Sequence, residues 1–451
     1  MAVSSEKTSE HPRRAFDLRD INRLALPAIV TGIAEPVIAL VDTAFVGQIG
    51  TTELAAVGIA GSFYLMTVWI LAQTLTAIAA VVSRHYGKGT LNEVATLVPQ
   101  AFLANVLLGA GFYLLTTTFS DSIFRFYNAE GALLEACKRY FAIRAAGFPF
   151  TLGAFLLFGA FRGIQNTSWA MAVALAGAVI NGILDYLLIF GAGDVIPALG
   201  LEGAAWAGLA AQVTMFLAAI YITERYTPFT VIPVRKLNPH YKWLAGMSFD
   251  LFIRTVLLNL TFYLAVRYAT GYGEAVVAAH TVALNIWLFS SFFIDGYAHA
   301  GNAIAGRLAG AGHIDELCRL GKVLGKIAPG IGAGVAAVYA LLYPFAAGVF
   351  TDEAEVITAF NSIFWLVIIS QPVNALAFVY DGIFKGLGEM KYLRNLLAAA
   401  TLFGFLPVAA GFHHFHPGLT GIWTAFTLWM LIRAVSPHLR FRQRYCLTAK
   451  K

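Results

Sequence analysis

The sequence predicts an all-α membrane protein of twelve transmembrane helices, arranged as two pseudo-symmetric six-helix bundles. Three observations lead there: a composition poor in charge, apolar runs of about 20 residues that recur with short polar breaks, and an internal repeat. Of 451 residues, 59% are hydrophobic and 12% charged, against roughly a quarter charged in a soluble domain. Water alone would not keep such a chain dispersed.

The apolar segments run over 22–47, 54–82, 94–118, 139–161, 168–190, 203–223, 242–268, 275–305, 321–350, 358–384, 393–412 and 417–437. The first follows a polar stretch with Arg13, Arg14 and Arg19. That stretch lacks the apolar core and cleavage site of a secretory leader, so the segment is expected to stay as an anchor. It carries Glu35, Asp42 and two prolines, Pro27 and Pro36, which interrupt the helix hydrogen bonds and allow either a gate-like bend or a static kink. The fifth carries Asn181 and Asp185, the seventh Asp250 and Arg254, and the eighth His280, Asp295 and His299, with Asp381 at the end of the tenth.

Orientation follows from the cations. With the N-terminus in the cytoplasm, 25 of the 31 lysines and arginines fall on cytoplasmic tails, loops and span ends, and only Arg125, Lys138, Arg139 and Arg267 fall outside. Arg144 and Arg254 lie within spans. Both termini are therefore expected on the cytoplasmic side of the inner membrane, which requires an even number of spans. The net charge of +6 is explained by this distribution, and no nucleic-acid partner is expected. Cys137, Cys318 and Cys446 are far apart and show no metal spacing, so neither a disulfide nor a structural metal is expected. The run His413, His414, Phe415, His416 could hold a metal weakly, yet without an acid or cysteine beside it the run reads as solvated loop.

A shift of 223 residues lays Arg84 on Arg307, Gly87 on Gly310 and Gly89 on Gly312 without a gap, and lays Phe161-Arg162-Gly163 on Phe384-Lys385-Gly386. Each half then holds six spans of the same orientation, related by an axis along the membrane normal. The expected division is residues 1–223 as an N-terminal lobe, 224–241 as a proline-bearing linker and 242–451 as a C-terminal lobe. Two such halves leave a central cleft that suits a transported solute by alternating access.

Ionisable groups at bilayer depth each need a reason, because an unpaired charge there costs several kcal/mol. Spans one and five both run outward, which puts Asp42 and Asp185 on the order of 25 Å from the cytoplasmic face. Both can face one cavity, with Asn181 one turn below Asp185. Neither acid has a counterpart in the second half, where Ala265 and Val408 stand. Two neighbouring carboxyls disfavour double ionisation and suit a proton-loading site; as fixed hydrogen-bond acceptors they would only order the packing. Asp250 and Arg254, four residues apart, are expected to pair with each other as structural groups. Asp295 lies at similar depth, and His299 one turn on could relay protons or simply pack.

Several strings resemble the multidrug and toxic compound extrusion (MATE) transporters, specifically the DinF-like branch. They are LVDTAFVG at 40–47, FRGIQNT at 161–167, NGILDYLLIFG at 181–191 and GAAWA at 203–207 in the first half. In the second half they are DGYAHAGNAIAGRLAGAG at 295–312 and QPVNALAFVYDGIFKG at 371–386. The strings arrive in order along nearly the whole chain. The resemblance implies a V-shaped cleft between two lobes and efflux of a bulky organic solute, cationic or amphipathic, driven by inward protons or sodium. No cofactor and a monomer are expected. It assigns cation coupling to Asp42 and Asp185, with Asn181 beside them, and leaves Glu35, Pro36, Asp250, Arg254, Asp295 and His299 as gating or cleft candidates. Asn302 and Asn166 stand where such sequences often carry acids, and the C-half acids of sodium-coupled relatives are not clearly matched, so the resemblance favours protons over sodium.

Other classes fit less well. The basic signature of facilitator-superfamily transporters is absent from SRHYGKG at 83–89. A flippase for lipid-linked sugars would need a cationic cavity, and the charge within the spans is mainly acidic. An intramembrane enzyme would need a zinc or serine motif, and none occurs.

Overall fold

The computed structural model describes residues 16–191, 193, 195–348 and 350–447. Among them, twelve helices are long and apolar enough to cross a membrane. They are α1 (Leu18–Val46), α2 (Thr51–Lys88), α3 (Leu97–Thr118), α4 (Gly131–Gly163), α5 (Ser168–Phe190) and α6 (Leu201–Tyr226) in the first half. The second half has α7 (Tyr241–Thr270), α8 (Glu274–Gly310), α9 (Ile314–Ala346), α10 (Ala354–Gly386), α11 (Met390–Phe415) and α12 (Leu419–Leu447). All twelve expected spans coincide with a helix, and several helices run beyond the apolar stretch. α9 begins at Ile314 rather than near 321 because its first turns are amphipathic: Leu317, Leu320 and Leu324 are buried, while Asp315, Glu316 and Lys322 alternate with them.

Local chemistry sets the breaks. Asp17 caps α1 through a reciprocal pair, its carboxylate accepting from Asp20 N at 2.9 Å and Asp20 accepting from Asp17 N at 3.0 Å. Pro27 and Pro36 lie inside α1. The Arg23 carbonyl released by Pro27 is reached by the Thr167 hydroxyl at 3.4 Å, and the same hydroxyl donates to Leu24 O at 3.0 Å. α2 is interrupted at Ala72 and Gln73, α4 tightens over Ala145–Gly147, and α11 widens over Ala400–Phe405.

Phe16 and Leu24 at the start of α1 share one buried cluster with Ile304 of α8, Leu317 of α9, Phe384 of α10 and Phe441 of α12. Both ends of the described chain therefore lie at the same face. Among the described residues, hydrogen bonds that join the halves at this face include Tyr297 to Asn22 at 3.2 Å, Arg319 to Phe16 O at 2.5 Å and Gln165 to Ala303 O at 2.9 Å. At the centre of the seam, a Cβ on Gly87 would strike the Arg307 carbonyl, and a Cβ on Gly310 would strike the Arg84 carbonyl. These two contacts are images of each other under the 223-residue shift, so α2 and α8 cross on the pseudo-two-fold axis.

Two expectations fail. Cys318 and Cys446 form a disulfide across 128 residues. The entry turn of α9 and the last turn of α12 pack around the same cluster, a proximity that spacing along the chain does not encode. Asp250 and Arg254 do not pair with each other. Asp250 takes Arg394 at the start of α11 at 2.5 Å, and Arg254 takes Asp381 of α10 at 2.7 Å. Neighbouring helices supplied partners nearer than the one on the same helix.

Candidate functional site

Glu35 and Asp42 are seven residues apart on α1, and Asn181 and Asp185 four apart on α5. These spacings put each pair along one helix face, and the two helices pack against each other. The Asp42 carboxyl meets the Asp185 carboxyl and the Asn181 amide. Asn181 and Asp185 are fully buried and Asp42 is 3% exposed. Oδ1 of Asp42, both carboxylate oxygens of Asp185 and both amide atoms of Asn181 lack a hydrogen-bond partner among the described residues. Buried polar atoms are rarely left so. Here the Asp42 and Asp185 carboxyls and the Asn181 amide gather with hydrogen-bonding capacity left open, an arrangement that accommodates a proton or a small cation.

One turn inward, sequence reasoning missed a hub. Arg144, buried on α4, lies 4.2 Å over the ring of Tyr64 on α2. Gly208 of α6 makes its room, since a Cβ there would come within 3.0 Å of Arg144 Nε. The Tyr64 hydroxyl accepts from the Gln212 amide nitrogen at 2.6 Å and lies 3.0 Å from the Thr151 hydroxyl. With its amide oxygen turned to the guanidinium, Gln212 accepts from Arg144 at 3.0 and 3.1 Å. A cavity of about 90 Å³ runs between Glu35, Asp42, Tyr64, Tyr140 and Arg144. Glu35 also lines a second cavity of about 110 Å³ with Trp69, Gln73, Phe158, Met215, Arg162 and His299. Glu35 Oε1 has no partner among the described residues, so this acid stands where the polar pocket and the aromatic cavity meet. Pro36 adjoins it within the helix.

Arg162, read from sequence as a loop cation, is buried. It lies 2.9 Å from Nδ1 of His299 and ties α4 to α8 at the floor of the larger cavity. The signals for this hub were slight: a solitary arginine within an apolar run, and glycines at 147 and 208 whose Cβ atoms would crowd it.

The second half groups its charges differently. Asp381 accepts from Arg254 and, through its other oxygen, from Lys385, both at 2.7 Å. Arg433 lies 4.3 Å over the Trp429 ring. Asp295 is partly buried and belongs to the electrostatic neighbourhood of Lys385, Asp381, Arg254 and Arg162. None of these second-half groups joins the Asp42 pocket. His413 accepts from or donates to the Tyr272 hydroxyl at 2.8 Å at the opposite, exposed end.

The chain matches the MatE family model over residues 27–187 and 251–409. It is 29% identical over 443 residues to Protein DETOXIFICATION 44, chloroplastic, of Arabidopsis thaliana, covering 94% of this chain and 82% of that protein. It is 25% identical to DNA damage-inducible protein F of Escherichia coli, covering 92% and 89%. A Probable multidrug resistance protein NorM of Agrobacterium fabrum is also 25% identical, covering 93% and 92%. The fold superposes on a MOP superfamily transporter from Pyrococcus furiosus with a TM-score of 0.87 at 22% identity, covering 96% of this chain and 97% of that one. An outward-facing multidrug resistance MATE family transporter gives a TM-score of 0.84 at 23% identity, covering 96% of each.

Proposed function

Since the chain belongs to the MatE family, we propose that it is a proton-coupled antiporter that exports organic solutes across the inner membrane by alternating access. Members of this family are secondary transporters and not enzymes, and the chain is a multi-pass membrane protein. The reading rests most directly on Asp42 facing Asp185 and Asn181 with carboxyl oxygens unpartnered in a buried pocket. Two carboxyls this close in a medium of low dielectric repel when both are ionised, so a proton held between them removes the repulsion. Its departure towards Glu35 would leave a charge that Arg144 and its partners must rearrange to meet.

The termini-bearing face, taken as cytoplasmic from its cations, is where Gly87 and Gly310 let the halves touch backbone to backbone. That seam is the closed gate of an outward-facing state. The cavity bounded by Glu35, Trp69, Phe158 and Met215 offers the apolar and aromatic wall that bulky organic solutes need.

The test uses purified protein in proteoliposomes with an imposed pH or sodium gradient and a panel of organic cations, anions and bile acids. Proton-gradient-driven exchange that disappears in Asp42→Asn, with folding and insertion intact, is the expected result. Unchanged exchange in that variant, or exchange driven by sodium alone, overturns proton coupling at this site.

A further inference from the structure

We propose that His85, Glu93 and His240 form a zinc-type transition-metal site that clamps the start of the second half to the first. One ligand atom from each of the three side chains lies within 4.8 Å of the others. His85 closes the last turn of α2 and is 3% exposed, Glu93 follows on a short turn at 55% exposure, and Nδ1 of the one is 3.4 Å from Oε2 of the other. His240 directly precedes α7, with its ring centroid 4.8 Å from that of His85.

Two imidazoles and one carboxylate are a zinc donor set with a fourth position left for water. Bonds of about 2.0–2.1 Å place tetrahedral ligands roughly 3.4 Å apart. The His85–Glu93 separation already has that value, so closure asks only for rotation of two side chains that reach solvent. The Thr90 hydroxyl, 2.9 Å from His85 Nδ1, competes for the same nitrogen and yields it by rotating. Lys88 and Arg84 are the nearby cations that oppose the ion, and Arg84 is held 6.0 Å over the Trp243 ring.

The framework behind the ligands is prebuilt. Asn238 donates to the Glu93 carbonyl and to the Thr96 hydroxyl, each at 2.8 Å, and its own oxygen accepts from His240 N at 2.9 Å. Gln100 fixes the preceding strap by donating to Lys236 O at 2.7 Å and accepting from Asn238 N at 2.9 Å. These bonds hold the carbonyl and amide on either side of the site at fixed spacing, as supporting contacts do around a metal. His85 stands two residues before Gly87, at the backbone crossing of α2 and α8. An ion there ties the first helix of the second half to the gate and hinders its opening.

Titration of the full-length protein with Zn²⁺ by calorimetry at neutral pH tests the site. The background carries alanine at His413, His414 and His416, which removes the competing run. The expected result is one zinc per chain, with affinity reduced about 10-fold or more by His240→Ala and also reduced by Glu93→Gln. His240 is partly exposed and its ring contacts are to His85 and Trp243, so this variant reads binding even where His85→Ala unfolds. Absence of binding in the parent, or parent-like binding in His240→Ala, overturns the site. The clamp rests additionally on the transport reading: Zn²⁺ on the termini-bearing side should slow exchange in the parent and spare His240→Ala. Equal inhibition of both, or one bound zinc with exchange unaffected, overturns the clamp while leaving the transport assignment to its own test.

Discussion

In the first half, Asp42 and Asp185 are buried against each other with oxygens that nothing among the described residues satisfies. In the second half, Asp381 holds Arg254 and Lys385 at 2.7 Å each, and Asp250 holds Arg394 at 2.5 Å. The two halves share a helical frame and even a pair of mirrored glycine contacts, yet they use charge in opposite ways. A carboxylate already matched by two cations has little to gain from a proton and serves packing. A carboxyl beside another carboxyl changes its state easily. Duplication supplied the frame, and divergence of a few side chains left carboxyls unmatched in one bundle and paired them with cations in the other.

The largest effect expected from breaking this contrast is in Asp42→Asn, which should reduce gradient-driven export to background while leaving a folded, inserted protein. Asp185→Asn should weaken coupling more than Asp250→Asn; equal losses in one matched exchange assay would remove the asymmetry. Next comes the shared frame. Gly310→Val forces a side chain into the Arg84 carbonyl, with a packing cost of about 1–3 kcal/mol. It should raise labelling of cysteines placed along the seam from the termini-bearing side, and unaltered labelling would show that the crossing is no gate.

Arg254→Met sharpens the second-half reading by leaving Asp381 to Lys385 alone. A loss of roughly 3 kcal/mol is expected, because stripping a partner from a buried pair strands its charge. Thermal unfolding in detergent measures it, and an unchanged midpoint would mean that Lys385 suffices. Asp250→Asn is the smallest, roughly 0–1 kcal/mol, since its pair with Arg394 reaches solvent.

Insertion in the membrane, the twelve spans and the repeat were legible because apolar run length and cation asymmetry are properties of the chain read in order. The proximity of Asp42 to Asp185 was legible as a shared depth on two outward-running helices. Arg144 was visible as a solitary in-span arginine, but its seat between Tyr64, Gln212 and Gly208 was not, since three helices meet there. The Cys318–Cys446 bond, the exchange of partners by Asp250 and Arg254, and the meeting of His85 with His240 were hidden for the same reason.

Sequence alone determined that the chain must cross the bilayer as helices, how many times, and which residues at depth carry charge, because backbone satisfaction in hydrocarbon leaves a 20-residue apolar stretch about one choice. Only the tertiary structure decided which charges neutralise one another and which stand unmatched. Pairing depends on the rotation of each helix about its axis and on the glycines that let helices approach, and both are settled by packing against neighbours far away along the chain.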